Sequence, residues 1–545
     1  MKSLKEILDE RKRLLEEKKI GGRLEQASSP LAVRLKETFA LSIELNKEQI
    51  LATELARSGK SFCLVGAAGT GKTTALREIV KEAAESLDGT LGSLRVQGTG
   101  EYVAVPPIAV ISFTNVAANN SRKAIHKDPS LAEQLKYNIT TIHNLLEFAP
   151  VFFWSDTLQK ETMRFLPRRD ALNQIEMQSL VIEEASMVGL DLWDKLYAAM
   201  QEGTTLIFLG DLNQLPPVFG DSILSYALTR LPVIELTQVY RQAGDSTILK
   251  NAHHILAGES LESAPDFAIL PCGTVNHTQL KLAASLSVTF PKWIDSGIYD
   301  PEEDMVLCPW NKRDLGTDAM NKHIAQTLGE RRRAVVYEII AGMNKVYLAE
   351  GDKVFCNKKQ GHIVKITQNS RYFGATPKAA SQNLTRFGLY QAAIGEEEFL
   401  HEEDVDFSNL DLDAMIEEAE NRVAEASHFV DIKIDDTGEI VTLTTMGDYS
   451  QNNLSLGYCL TVHKAQGSEW RKVFLILHRD HNVSLCRELL YTAVTRAREG
   501  FVLISKQDVV ERALKTQRIK GNTVQEKIEY FNSGVALNNE VRILK

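Results

Sequence analysis

The chain has 545 residues, of which 44% are hydrophobic, and it carries a formal net charge of -10. This length and composition predict a globular protein of roughly three or four domains with sizeable cores. The net negative charge excludes a basic surface over the whole molecule, so nucleic acid would have to bind in a local basic groove.

Cysteine use and hydropathy indicate the compartment. The six cysteines are scattered and form no C-x-x-C pair, which predicts buried thiols in a reducing, cytoplasmic setting. No apolar run reaches transmembrane length, and the charged N-terminus lacks the apolar core of a secretory signal. We therefore expect a cytoplasmic protein that does not contact a membrane.

Residues 1–45 are predicted to form an N-terminal helical region. Apolar residues recur on one face of its first helix, Ser3 and Glu6 have the spacing of a capping box, and Gly21-Gly22 ends it. An apolar face of this kind covers the protein's own core or binds a partner, and both interpretations stay open.

Two series of short apolar runs that alternate with helical patterns follow. The first occupies residues 46–237, and the second occupies residues 238–354 and 456–545. Continuous apolar strands between helices are typical of parallel sheets that are covered on both faces. The predicted fold class is therefore α/β, with two parallel-sheet domains.

Two inserts interrupt these series. Residues 148–176 are too few for a domain but suit a projecting hairpin, and residues 355–455 contain short β segments that predict a small barrel. Within the second insert, residues 396–420 are strongly acidic and include no Lys or Arg. That acidic segment is interpreted as a solvated helix and loop, or alternatively as a protein contact or a repeller of stray nucleic acid.

A phosphate-binding loop follows the first apolar run at residues 62–65 and precedes a helical pattern over residues 74–87. Its glycines let backbone N–H groups turn towards phosphate oxygens, and the following helix N-terminus adds positive potential. Lys72 is expected to reach the β- and γ-phosphates, and Thr73 to offer a hydroxyl to Mg²⁺. The loop residues are Gly66, Ala67, Ala68, Gly69, Thr70, Gly71, Lys72, Thr73 and Thr74.

Further polar groups suited to nucleotide chemistry follow later strands. Glu183 and Glu184 end one apolar run, where one carboxylate can hold Mg²⁺ and the other can orient the attacking water. Gln214 lies on a proline-stiffened loop after the next run, where it could sense the γ-phosphate or only satisfy the loop backbone. Arg241 and Arg496 lie in the second series and could reach the nucleotide when the two domains close.

Small polar residues also occur at two other predicted strand ends. Thr114 and Asn115 follow the run at residues 108–113, and Thr141 and His143 lie in Thr140-Thr141-Ile142-His143. Hydroxyl, amide and imidazole groups suit phosphate and sugar contacts. The alternative is that the threonines cap helices.

Residues 461–469, which read Thr-Val-His-Lys-Ala-Gln-Gly-Ser-Glu, complete a set of ordered motifs. With them the chain resembles the superfamily 1B DNA helicases, in the branch of the RecD-type and phage Dda helicases. The likeness runs in order across most of residues 46–505. The matching segments are residues 46–49, 66–74, 112–118, 141–143, 183–186, 210–217, 240–242, 461–469 and 491–498.

The resemblance implies a motor of two RecA-like domains that uses ATP and Mg²⁺, with single-stranded DNA bound across both domains. Gln49 and Tyr240 would contact the base of ATP, Thr73 and Glu183 would hold the metal, and Glu184 would be the catalytic base. Lys72, Gln214, Arg241 and Arg496 would act on the γ-phosphate. The DNA track would use Thr114, Asn115, Thr141, His143, Pro309, Trp310, Asn311, Thr461, His463 and Lys464.

The branch also implies roles for the two inserts. Residues 148–176 fall where a strand-separating prong is expected, which makes Phe152, Phe153 and Trp154 candidates for contact with the DNA fork. Residues 355–455 fall where an SH3-like domain is expected. Trp310 is either a base-stacking platform or a core tryptophan beside Pro309.

The implied function is ATP-dependent translocation 5′ to 3′ on single-stranded DNA with unwinding of duplex junctions. Replication, repair or recombination proteins are the implied partners. The chain departs from the family at Glu183, where Asp is usual, which leaves the metal geometry open. An RNA-directed or non-unwinding translocase and an ATPase-degenerate nucleic-acid-binding subunit are the alternatives.

Overall fold

The structure is a computed structural model that describes most of the chain beyond residue 44. The described residues are 45–87, 89–96, 100–155, 160–217, 220–239, 246–271, 278–341, 344–356, 359–368, 428–435, 437–444, 454–533 and 541–544. The predicted N-terminal helix, the acidic segment, Tyr240 and Arg241 lie outside them. Two compact units divide the chain at Ile50, and the second, Leu51–Lys545, contains both parallel sheets.

The first sheet has six parallel strands in the order β10 (Val233–Leu236), β1 (Phe62–Gly66), β9 (Thr205–Gly210), β8 (Ser179–Glu183), β4 (Ile108–Ser112) and β5 (Ile139–Thr141). Its central strands are apolar and buried along their length, which is why they form a sheet that is covered on both faces. In chain order the elements of this part are α1 Lys47–Arg57, β1 Phe62–Gly66, α2 Lys72–Glu85, β2 Gly92–Arg95, β3 Tyr102–Val105, β4 Ile108–Ser112, α3 Asn115–Ile125, α4 Pro129–Gln134, β5 Ile139–Thr141, α5 Ile142–Leu145, β6 Ala149–Ser155, β7 Lys160–Leu166, β8 Ser179–Glu183, the 3₁₀ helix Ala185–Met187, α6 Leu190–Ala199, β9 Thr205–Gly210, α7 Ile223–Ala227 and β10 Val233–Leu236.

The second sheet has five parallel strands in the order β11-β22-β21-β12-β20. In chain order the elements of this part are α8 Thr247–Ala257, β11 Phe267–Pro271, α9 Gln279–Asp295, β12 Met305–Cys308, α10 Thr317–Arg332, β13 Val336–Ala341, β14 Asn344–Ala349, β15 Lys353–Cys356, β16 Lys359–Gln368, β17 His428–Ile434, β18 Ile440–Thr444, β19 Ser455–Leu456, β20 Cys459–Thr461, β21 Trp470–Ile476, the 3₁₀ helix Arg479–Ser484, α11 Arg487–Val494, β22 Ala497–Ser505, α12 Gln507–Lys515 and α13 Val524–Asn532. The predicted α/β class with two parallel sheets is confirmed.

Both predicted inserts contain antiparallel strands. Strands β6 and β7 pair as a hairpin from Ala149 opposite Leu166 to Ser155 opposite Lys160. The larger insert contributes strands β15 to β18 to a five-stranded sheet in the order β18-β17-β16-β15-β19, in which every pairing is antiparallel. The prong and SH3-like roles stay predictions.

The end of the described chain packs on the first sheet. Phe531, Val541 and Ile543 belong to the hydrophobic core that surrounds Trp193, and the Trp193 indole Nε1 donates to the Arg542 carbonyl at 2.7 Å. The assignment of residues 456–545 to the second domain stays a prediction, and no pattern in the sequence indicates these contacts with the first core. The reason is that an amphipathic segment shows an apolar face but does not show which core it covers.

Two basic side chains connect the five-stranded sheet of the larger insert to the turn before β12. Lys353, fully buried, donates from Nζ to the carbonyls of Pro301 and Glu302 at 2.8 and 2.9 Å. The His362 ring binds the carboxylates of Asp435 and Glu302 at 2.9 and 2.6 Å. Hydrogen bonds to these two carboxylates raise the pKa of His362 to about 9.

We expect the contribution of His362 to stability to disappear in alkaline solution. Because the folded pKa of about 9 exceeds the ordinary value of 6.5, this stabilisation is complete below about pH 6.5 and is lost as the pH rises through 9. The unfolding temperatures of His362→Gln and the parent should therefore differ most at pH 6 and converge by pH 10. His253→Gln, an exposed histidine on α8, is the control, and a constant difference across this range would contradict the expectation.

The five cysteines in the described part of the chain are buried and have free thiols, as expected. None of the helices in the described part is long and apolar enough to cross a membrane.

Candidate nucleotide site and nucleic-acid track

The phosphate loop connects β1 to the start of α2. Gly69 and Gly71 have φ values of 82° and 85°, in the left-handed region that favours glycine. Lys72 starts α2, and its Nζ donates to the carbonyls of Gly66 and Ala67 at 2.7 and 3.0 Å. The lysine ammonium therefore lies over the phosphate loop, in a position to bind a phosphate group.

Two carboxylates follow β8, two strands away from β1 in the sheet order. Glu183 ends β8 and accepts a hydrogen bond from the Ser121 hydroxyl, while Glu184 has a left-handed backbone with φ 52°. Burial first, and then the charge of Glu184, raise the pKa of Glu183 to about 8, and only the Lys72 ammonium opposes this shift. Lys72 and the two carboxylates thus act on each other electrostatically.

Two unpaired acceptor oxygens at this site are suited to a cation or to a hydrogen-bond donor such as water. Within the described residues, Glu184 Oε2 and Gln214 Oε1 are buried and have no hydrogen-bond partner. Gln214 follows β9, which lies between β1 and β8, and the carboxyl ends of parallel strands meet at one edge of a sheet. An ammonium, two carboxylates and an amide oxygen at this edge are suitable for a nucleotide phosphate with Mg²⁺.

Elements of the second sheet contact this edge directly. The Tyr491 hydroxyl on α11 accepts from the Ala68 N–H at 2.8 Å and donates to the Asp211 carboxylate at 3.0 Å. Burial, followed by the charge of Asp211, raises the pKa of Tyr491 well above its ordinary value. One neutral hydroxyl therefore joins the phosphate loop to the segment that carries Gln214.

We call residues 211–215 the coupling loop. Its Leu215 is held at both backbone groups, because Thr492 Oγ1 accepts from the Leu215 N–H and Gln466 Nε2 donates to the Leu215 carbonyl, each at 2.9 Å. Lys527 on α13 donates from its buried Nζ to the Leu212 carbonyl at 3.0 Å and to Asn213 Oδ1 at 2.6 Å. Four side chains from beyond the first sheet thus contact a five-residue loop.

These four side chains have no role among the sequence-based predictions. Gln466, Tyr491 and Thr492 lie inside the matched motifs at residues 461–469 and 491–498, so their position was the available signal. Lys527 lies in an ordinary amphipathic helix and gave no signal. The motif residue singled out instead, Arg496, binds backbone or hydroxyl oxygens of Thr492, Ser468 and Thr495 at 3.1 to 3.2 Å.

The structure gives less information on the other three residues predicted to contact the nucleotide, Gln49, Tyr240 and Arg241. Arg241 and Tyr240 lie outside the described residues. Gln49 belongs to the Met1–Ile50 unit, and it exchanges backbone-to-side-chain hydrogen bonds with Asn46 at 2.7 and 3.0 Å. This reciprocal pair caps the start of α1. The proposed roles of these residues stay predictions.

Three threonines of the predicted track cap helical turns. Thr114, Thr141 and Thr461 accept the backbone N–H groups of Ala117, Asn144 and Lys464 at 3.1 to 3.2 Å. This agrees with the helix-cap alternative, but it also leaves each hydroxyl proton available for donation, since a hydroxyl has one donor and two acceptor positions. Caps at the carboxyl ends of strands in both sheets can therefore also offer donors to phosphate.

The track histidines are uncharged or packed against aromatic rings. Burial, with a smaller effect of Arg518, lowers the pKa of His463 to about 4, so this ring is neutral at pH 7. His143 lies between Phe113 and Phe148, with ring centroids 5.9 and 5.1 Å away. Asn120 on α3 donates to the Gly467 carbonyl at 2.8 Å and so links the residues predicted for the track on the first sheet to those on the second. Asn115 is half-buried and Lys464 is exposed.

Trp310 is anchored but not enclosed. Its Nε1 donates to Ser484 Oγ at 3.0 Å, and the His481 ring approaches edge-on at a centroid distance of 4.8 Å. The Arg313 guanidinium lies 4.8 Å from the Trp310 ring centroid. Pro309 is buried, Trp310 is half-buried and Asn311 is exposed. The arrangement combines features of both interpretations of Trp310.

These observations define a class of protein: a phosphate-loop protein with two RecA-like sheets and a candidate nucleotide site that side chains of both contact. Residues 44–267 match the family model of an AAA domain, and residues 456–504 match that of a UvrD-like helicase C-terminal domain. The chain is 27% identical over 487 residues to the ATP-dependent RecD2 DNA helicase of Deinococcus radiodurans, covering 88% of this chain and 52% of that protein. It therefore spans about half the length of that relative.

A second relative and two solved structures complete the comparison. The RecBCD enzyme subunit RecD of Mycolicibacterium smegmatis is 23% identical over 509 residues, which cover 88% of this chain and 75% of that protein. A Bacteroides Pif1 helicase in complex with ADP-AlF3 and ssDNA has a TM-score of 0.48 at 17% identity, with 91% and 99% of the two chains covered. Candida albicans Pif1 helicase has a TM-score of 0.46 at 18% identity, covering 90% and 99%. The two family matches and these relatives support a superfamily 1B helicase of the RecD type.

Proposed function

We propose that the chain is an ATP-dependent DNA helicase that moves 5′ to 3′ on single-stranded DNA and unwinds duplex junctions. The observation that carries this proposal is the contact of Tyr491, Thr492 and Gln466 with the phosphate loop and the coupling loop. A nucleotide at this site would be sensed by both sheets, which is what a motor requires. The name of the Deinococcus radiodurans relative supports DNA as the substrate.

Each residue of the site has a separate role in ATP hydrolysis. Lys72 and the loop N–H groups bind the phosphates, and the oxygen atoms of Thr73 and Glu183 would hold Mg²⁺. Glu184, whose Oε2 atom is buried and unpaired, orients the attacking water and accepts its proton. Gln214 senses the γ-phosphate, and Arg241 and Arg496 complete the site when the sheets close. Mg²⁺ held by Thr73 and Glu183 would supply positive charge next to the transferred phosphoryl group.

The DNA track crosses both sheets at the carboxyl ends of their strands. Thr114 and Asn115 follow β4, Thr141 ends β5 and Thr461 ends β20. Their hydroxyl and amide groups suit backbone contacts, which do not depend on base sequence. Replication, repair or recombination proteins are the partners that this role implies.

Unwinding of tailed duplexes tests the proposal. We expect ATP hydrolysis to require single-stranded DNA, and strand separation to occur on a duplex with a 5′ tail but not on one with a 3′ tail. Preference for a 3′ tail would overturn the direction. Stimulation by RNA alone would identify an RNA-directed motor, and hydrolysis without strand separation would identify a translocase.

The hairpin β6–β7 gives a second, separate prediction. Replacing Phe152, Phe153 and Trp154 with alanine should lower unwinding of a 5′-tailed duplex by about tenfold or more while leaving DNA-stimulated ATP hydrolysis within about twofold, because aromatic contacts at a fork contribute about 1–3 kcal/mol per base. Unaltered unwinding would remove the hairpin from strand separation. Replacing exposed Leu172, which follows the hairpin, with alanine is the control.

A further inference from the structure

A basic pocket lies beside β5, one of the two edge strands of the first sheet. Its volume is about 280 Å³, and its lining includes Arg95, Arg122, Lys136, Tyr137 and Arg169. The single acidic group in the lining, Glu147, is already bound by Arg169 at 2.7 Å and by the Tyr102 hydroxyl at 2.7 Å. We call this cavity the edge pocket.

Three cations of the edge pocket keep their charge uncompensated. Within the described residues, no carboxylate lies within ion-pair distance of Arg95, Arg122 or Lys136. Arg95 donates to the Gly100 carbonyl at 3.3 Å, and Arg122 donates to the Ile139 carbonyl and to Asn119 Oδ1. Neutral acceptors of this kind orient a guanidinium without cancelling its charge, so the pocket attracts anions.

The edge pocket supplies a charge that the track lacks. In a chain of net charge -10, binding of nucleic acid needs a local basic surface. Of the ten residues assigned to the track, Lys464 is the one lysine or arginine, and His463 is neutral at pH 7. The edge pocket is a local basic surface of the kind required.

The position of the edge pocket connects the track to the hairpin. Thr140 and Asn144 line it and flank the track residues Thr141 and His143. Glu147 and Arg169 line it and immediately flank the hairpin, whose strands run from Ala149 to Leu166. A strand that leaves the track at the root of the hairpin would therefore meet this pocket.

The lining also indicates an unpaired strand. Tyr137 is 39% exposed, and the Lys136 ammonium lies 5.2 Å from its ring centroid. An exposed aromatic ring beside a cation can stack on an unpaired base, whereas the bases of a duplex already stack on each other. Tyr137 thus favours single-stranded over double-stranded nucleic acid.

We propose that the edge pocket binds the phosphate backbone of the DNA strand displaced at the hairpin β6–β7, through Arg95, Arg122 and Lys136, with Tyr137 stacking on one base. This inference rests on the proposed helicase function and extends it to the second strand of the fork. The pocket then holds the strands apart after the hairpin has separated them.

Binding to two DNA substrates tests this proposal. One substrate is a duplex with a 5′ tail, and the other is the same duplex with an additional unpaired 3′ tail on the displaced strand. The test variant is Arg95→Gln with Lys136→Gln, and Arg122 is left intact because it supports β5 through the Ile139 carbonyl. Lys60→Gln with Lys515→Gln, two exposed lysines outside the pocket, is the control with the same change in charge.

We expect the parent to bind the forked substrate with a Kd about tenfold lower than that of the single-tailed substrate at low salt. The test variant should bind both substrates with about the same Kd. The slope of log Kd against log salt should fall by about 1.4 for the forked substrate only, as loss of two single-strand phosphate contacts requires. ATP hydrolysis with single-stranded DNA should stay unchanged, which shows that the variant is folded. The exchange Arg95→Lys with Lys136→Arg should retain the advantage.

Two results would overturn the proposal. Equal weakening on both substrates would place the tracked strand in the edge pocket, and an unchanged advantage of the forked substrate would leave the pocket without a role in DNA binding. Failure of the parent to bind DNA or to hydrolyse ATP would instead contradict the proposed function.

Discussion

Glu184→Gln is expected to lower DNA-stimulated ATP hydrolysis by about 10²- to 10⁴-fold, because an amide cannot accept the proton of the attacking water. Nucleotide affinity should change by less than about twofold, since Gln has nearly the same shape and the phosphate ligands are unaltered. The buried, unpaired oxygen of Glu184 and its left-handed backbone are the features that single it out.

Single-turnover hydrolysis and equilibrium binding of a fluorescent nucleotide measure the two quantities separately. Glu202→Gln, at an exposed position before β9, is the matched control. Turnover of Glu184→Gln near the parental rate would assign the base to another group, and loss of nucleotide binding would make Glu184 a binding residue.

Tyr491→Phe is expected to uncouple the two sheets with little change in volume. The substitution leaves the Ala68 N–H and the buried Asp211 carboxylate without their shared hydroxyl. Hydrogen bonds to charged groups contribute about 1.5–3 kcal/mol. The arrangement in which Tyr491 joins the two sheets should therefore become at least about tenfold less populated. We expect a fall of about tenfold in kcat for DNA-stimulated hydrolysis, with a smaller change in KM for ATP.

Steady-state kinetics at saturating single-stranded DNA check this prediction. Tyr299→Phe is the control, because its buried hydroxyl donates to the Tyr458 carbonyl at 3.5 Å, far along the chain from the coupling loop. A lower unfolding temperature of Tyr491→Phe with unaltered kcat would show that its hydroxyl only stabilises the fold.

The parts of the fold that follow from local pattern were predictable. Strand β1, its glycines and Lys72 are adjacent in sequence, and their strand-loop-helix order indicates both the structure and the chemistry. Glu183, Glu184 and Gln214 follow other strands, and the rule that parallel strands share a carboxyl edge brings them to the same place.

The contacts between the sheets were not predictable. Lys527 binds a carbonyl 315 positions earlier in the chain, and nothing in the pattern of α13 indicates that partner. The threonines Thr114, Thr141 and Thr461 were open to two interpretations because one hydroxyl can cap a helix and donate to a ligand at the same time. Periodicity shows which face of an element is buried, but the partner of that face depends on tertiary packing.

The proposed DNA track is nearly uncharged, and this would affect how the motor steps along the strand. Hydroxyl and amide contacts are short-ranged and weak one by one, so each can break and re-form at little cost as the strand advances by a nucleotide. A track lined with arginines would hold the strand more tightly but would have to release many phosphates at every step. The motor would thus hold the strand it follows by weak contacts that are easily broken. The long-range attraction of DNA would come from cations beside the track.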